Sequence, residues 1–117
     1  MKIERSIGNP AAAYAGAPDF DIELAWLQEC TRTQGFELSR EFWLRRAAFL
    51  DRLALREAES HGVEATAALI RFAESAASGL VVYDTAHHGL SPKGSDLVAG
   101  EDHRAYVREQ YRAARLA

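Results

Sequence analysis

Three of the chain's four histidines fall in one stretch, YDTAHHGLSPKGSDLVAGEDH, residues 83–103, together with three aspartates and a glutamate. His, Asp and Glu are the side chains that ligate divalent metals and that pass protons near neutral pH. If residues 80–88 are helical, Asp84 stands three and four positions before His87 and His88, the spacing of neighbours on one helical face. Asp102 and His103, brought back by the intervening loop, would complete a set for zinc, iron or another divalent metal. Without a metal, Asp84 paired with His87 or His103 would be a carboxylate–imidazole couple for acid–base work.

The spacing is a weak signal for either chemistry. Adjacent histidines on a helix point about 100° apart, so His87 and His88 seldom share one ion. The chain has no H-E-x-x-H, paired E-x-x-H or C-x-x-C motif, and GLSPKGS lacks the spacing of a phosphate-binding glycine loop. The plainer reading packs one histidine near a helix end and leaves the other to cap carbonyls or face water. On that reading no catalytic residue, metal or cofactor is assigned. A metal-dependent enzyme or ligand-binding protein using Asp84, His87, His88, Asp102 and His103 stands as the alternative.

The arginines form the second constellation. Arg104, Arg108, Arg112 and Arg115 recur at i, i+4, i+8 and i+11, one basic edge on a helix, and Arg45, Arg52 and Arg56 repeat the pattern further back. Such edges suit a phosphate backbone or an acidic helix. The net charge of −3, however, gives the molecule no overall pull toward nucleic acid or anionic lipid. Nearby Glu41, Glu59 and Glu109 make a solvated, partly balanced face the simpler expectation, with weak nucleic-acid binding as a third reading. A helix-turn-helix is set aside for LAWLQECTRTQGFELSREFWLRR, because its second helix is aromatic and apolar where base-reading polar side chains belong.

The elements that would carry these residues follow from periodicity. Residues 1–18 show no helical or strand period, and GNPAAAYAGAP reads as a flexible arm with Tyr14 exposed. Asp19 is placed as the cap of a first helix, with Asp21 and Glu23 as favourable first-turn charge. Phe20, Leu24, Leu27 and Thr31 line its face, widened by Ile22, Trp26 and Cys30, and Gly35 ends it. Cys30, the lone cysteine, excludes an internal disulfide and reads as a buried, inert thiol.

The clearest helix runs over about 40–60, from the cap Ser39 to Gly62. It is apolar on three rows: Phe42, Phe49, Leu53; Trp43, Ala47, Leu50, Ala54; Leu44, Ala48, Leu55. One neighbour cannot cover three rows, so this helix is central in a bundle or presents a row to another copy. A third helix starts near Val63, and its phase survives Gly79 to reach about His88, which favours helix over a lone LVVY strand. A loop of about 89–100 follows, pinned by Leu90, Leu97 and Val98. Glu101 and Asp102 open a last helix that buries Val107, Tyr111 and Ala114.

The expected fold is an all-α bundle of four or five helices, with an arm at 1–18 and a single domain over 19–117. A chain of 117 residues with 48% hydrophobic and 26% charged residues can bury its own core. No apolar run is long enough for a membrane span, and a cytoplasmic protein is expected. The function expected is a small non-enzymatic interaction or regulatory protein. Its partner would be itself, as a homodimer, or another protein, engaged through Phe42, Trp43, Phe49, Leu50 and Leu53.

Overall fold

The computed structural model describes residues 10–35, 37–88 and 100–116, and the side chains of all of these except 88, 115 and 116. It is an all-α bundle. A short 3-10 turn, Pro10–Tyr14, precedes four helices: α1 (Phe20–Gln34), α2 (Arg40–His61), α3 (Ala67–His88) and α4 (Glu101–Leu116). No helix is long and apolar enough to cross a membrane among these residues.

Helix ends follow local chemistry, with one exception. The backbone N–H of Phe42 donates to Ser39 Oγ at 3.2 Å, the side-chain cap expected for α2. At the other end Gly62 takes φ +88°, a conformation that favours glycine, and its N–H returns to the carbonyl of Ala58 at 2.8 Å. Asp19 occupies the N-cap position of α1 but makes no side-chain capping bond; only its carbonyl takes part, accepting from Glu23 N–H at 3.0 Å. Residues 63–66 are turns rather than helix, and the α3 helix then passes Gly79 without a break.

Helix α2 is central. It packs against α1, α3, α4 and the 3-10 turn, so its three apolar rows are shared among four neighbours. One core cluster joins Leu44, Ala47 and Ala48 of α2 to Ala76, Ala77 and Leu80 of α3 and to Val107 and Tyr111 of α4. The second, smaller cluster sets Phe42 against Leu27 and Cys30 of α1. The alanines let α2 and α3 lie close, and the bulkier residues fill the outer flanks.

Two placements differ from the sequence-based expectation. Tyr14 is not exposed: it is 7% accessible, with its ring edge-on to Tyr111 at 5.2 Å between centroids. The arm from Pro10 onward is therefore seated on α4 rather than free. On α1 the inward face carries Glu23, Leu27 and Cys30, while Leu24 is 43% and Ile22 61% exposed and Thr31 also faces out. Glu23 has displaced the expected apolar face because it has an arginine to meet inside. Of the loop expected at 89–100, all but Gly100 lies outside the described residues, as do its proposed pins.

Candidate functional site

Among the described residues the interior holds three carboxylates, each nearly inaccessible: Glu23 at 1%, Asp51 at 1% and Asp84 at 2%. Each falls in the helical phase of its helix's buried residues, Glu23 with Leu27 and Cys30, Asp51 with Leu44, Ala47 and Ala54, Asp84 with Ala77 and Leu80. A buried charge is tolerated only when paired and fully hydrogen-bonded. Here arginines from other helices supply the pairing.

Asp51 of α2 accepts from Arg104 Nε at 2.6 Å and from Arg108 Nε at 2.7 Å and Nη2 at 2.9 Å, all from α4. The Tyr14 hydroxyl donates a fourth, short bond to the same carboxylate. Four donors match the acceptor capacity of a carboxylate, so Asp51 has none left for a substrate. Arg108 Nη1 continues to Glu101 at 2.7 Å. Burial alone would lower the Arg108 pKa, and the bonds to Asp51 and Glu101 more than offset that. Burial, reinforced by the Asp51 charge, drives the Tyr14 phenol well above its ordinary range.

Asp84 of α3 is clasped in a bidentate fork by Arg40 of α2, both bonds 2.7 Å, and accepts from the Tyr106 hydroxyl of α4 at 2.6 Å. Arg40 also reaches Gln110 at 3.0 Å, so one guanidinium ties three helices. The Tyr106 phenol is raised by burial and then by its bond to Asp84. On the far side, Arg45 grips Glu23 through bonds of 2.9 and 2.6 Å while its guanidinium lies 3.6 Å from the centre of the Trp26 ring. Every helix and the 3-10 turn is thus held to another by a buried carboxylate clasp.

These clasps relocate the histidine–aspartate constellation. Asp84 points into the bundle, toward Arg40 and Tyr106. His87 is exposed, stacked on Tyr83 at 4.1 Å, with its Nδ1–H donating to the Tyr83 carbonyl at 3.0 Å. Asp102 is exposed on the first turn of α4. His103 is half-buried, and its Nδ1 meets no hydrogen-bond partner among the described residues. The His88 side chain lies outside them. Among the described residues no group of three or more His, Cys, Asp or Glu is arranged to hold a metal ion.

The basic edge on α4 is likewise divided. Arg104 and Arg108 are 6% and 9% accessible and spent on Asp51, while Arg112 is exposed and the Arg115 side chain lies outside the described residues. A continuous phosphate-facing stripe is therefore not formed: its first two members are consumed as internal counterions.

The anchor residues expected on α2 mostly serve the chain itself. Phe42, at 4% exposure, belongs to the core cluster with α1 and cannot anchor another copy without unpacking it. Trp43 packs edge-on to Phe42 and over the backbone of Gly79, and Phe49 sits edge-on to Phe20. Leu50 and Leu53 are half-buried. Uncovered large apolar side chains lie elsewhere: Ile22 and Leu24 on α1, Val63 just before α3, and two on α3 itself. Phe72 and Val82 are each 64% exposed, and Ala68, Ser75 and Ala86 lie exposed beside them. That face carries one charge, Arg71, because the other two charged residues of α3 turn elsewhere: Asp84 inward, and Glu74 toward Gly100.

Sequence reasoning missed this face because Phe72 stands one turn before the buried Ala76, at the edge of the buried arc rather than within it. No protein-family model matches the chain, and neither a curated protein nor a solved structure shows significant similarity to it.

Proposed function

We propose that this protein works by association rather than catalysis, as a small helical interaction protein that pairs with a second copy of itself through the exposed face of α3. The observation that carries the reading is the exposure of Phe72 and Val82, 64% each, on a helix whose opposite side is already packed against α2 and α4. A helix that is apolar around most of its circumference calls for cover on every side. The nearly uncharged face offers an acidic or basic partner little to pair with, but two copies set face to face meet little like-charge opposition. A two-fold pairing of one patch with itself is the commonest closed assembly.

The saturated carboxylates support the non-catalytic part of the reading. Asp51 and Asp84 are held by arginine and tyrosine donors, and catalysis requires a group free to exchange its proton or its ligand. The small residues Ala68, Ser75 and Ala86 allow two α3 helices to approach closely, with Phe72 and Val82 as the knobs. Burying each of those two side chains is worth about 1.5–3 kcal/mol. Sedimentation velocity across the micromolar range tests the proposal: a concentration-dependent shift from monomer to dimer supports it, and a single monomeric species throughout rejects it.

A further inference from the structure

A second surface shares no residue with the α3 face. Between the 3-10 turn, the start of α1 and the second half of α2 lies an open groove of about 540 Å³, lined by Ala11, Tyr14, Phe20, Leu55 and Ala58 together with the charged side chains of Arg52, Arg56 and Glu59. That volume is in the range of small-molecule sites, roughly 300–1,000 Å³. Both guanidinium groups rest on one ring, Arg52 at 4.3 Å and Arg56 at 4.2 Å from the centre of Phe20.

Their partners leave most donors unused. A guanidinium has five N–H groups. Among the described residues Arg52 makes one hydrogen bond, 2.8 Å to the Pro18 carbonyl, and Arg56 comes no nearer to a carboxylate than 3.6 Å, at Glu57. Two like charges held near one aromatic ring repel each other, and a neighbouring anion offsets that repulsion while taking up free donors. Glu59 lines the groove and Glu57 pairs with Arg56 at 3.6 Å, so the two acids offset much of the longer-range field, which disfavours a polyanion. What remains is short-range bonding to one small anionic group above an apolar floor.

We propose that this groove binds a small amphipathic monocarboxylate, its carboxylate forked between Arg52 and Arg56 and its apolar body laid along Phe20, Leu55 and Ala58. Asp51 and Glu23 bind their arginines through hydrogen bonds of 2.6–2.9 Å, whereas Arg56 reaches Glu57 only at 3.6 Å.

Isothermal titration calorimetry of the full chain with octanoate, and with octanol as its neutral counterpart, tests the assignment. Octanoate should bind and octanol should bind at least about tenfold more weakly, since the difference is the charge-assisted hydrogen bonding. Arg56→Gln, at an exposed side chain with no hydrogen bond among the described residues, should weaken octanoate about tenfold while the helical fold is retained, since only a ring contact and a 3.6 Å ion pair are lost. Ala58→Phe should abolish binding by filling the floor while both arginines remain. Absence of octanoate binding, equal binding of octanol, or wild-type affinity in Arg56→Gln would overturn the proposal.

Discussion

Asp51 and Arg108 lie 57 residues apart in sequence and meet through two hydrogen bonds, 2.7 and 2.9 Å, in the interior of the bundle. With Arg104 and Tyr14 on the same carboxylate, one side chain of α2 sets the position of α4 and of the 3-10 turn. Removing one partner of a buried pair leaves an uncompensated charge, which costs about 3–5 kcal/mol. Asp51→Asn should lower the unfolding free energy by about that amount in urea titration. Tyr14→Phe, which deletes one donor, should cost about 1–3 kcal/mol. An Asp51→Asn protein as stable as wild type would mean the clasp is not formed.

The Glu23–Arg45 clasp tests the same physics at the α1–α2 junction. Glu23→Gln and Arg45→Met should each destabilise, and the double variant should be less unstable than the two losses added. A coupling of at least about 1 kcal/mol is expected for groups in direct contact within one buried network. Additivity would show that α1 is held by apolar contact alone.

Stability should also fall at alkaline pH for a defined reason. The Tyr14 and Tyr106 phenols are raised in the folded state, by burial and then by the carboxylates they bond, from an ordinary value of 10.0. The unfolded chain loses those protons above pH 10 while the folded chain retains them, so the unfolded state then binds fewer protons and stability declines with rising pH. Below pH 10 the two tyrosines contribute their full share. Urea midpoints measured from pH 8 upward should show a plateau that breaks near the ordinary phenol value. In Tyr14→Phe the decline should be shallower.

Gly79 offers a stabilising change. It sits inside α3, where glycine costs about 0.5–1 kcal/mol relative to alanine. A methyl group there would meet the Trp43 ring at 3.6 Å, an ordinary packing distance. Gly79→Ala should therefore raise the unfolding free energy by about 0.5–1 kcal/mol, read from the urea midpoint.

The apolar patterning made much of this fold legible. The three rows of α2, the cap at Ser39, the stop at Gly62 and the continuation of α3 past Gly79 all follow from periodicity and glycine chemistry, and each is found. What stayed hidden was the partnering of charges. Glu23, Asp51, Asp84, Arg104 and Arg108 look like ordinary surface charges one at a time. Their signal is positional: each falls on the buried arc of its own helix, acids on α1, α2 and α3, and two bases on α4. Opposite charges in buried register on different helices imply a clasp, whereas reading the arginines by helix alone suggests an outward stripe. Tyr14 was illegible for a related reason, since its fixing bond comes from a residue 37 positions away.

Self-association through α3 is most directly tested by light scattering on wild type and on Phe72→Glu at the same tens-of-micromolar concentration. Wild type should show twice the chain mass and Phe72→Glu a single chain mass, with helicity preserved because the side chain is exposed. A monomeric wild type, or a dimer unaffected by Phe72→Glu, would contradict it.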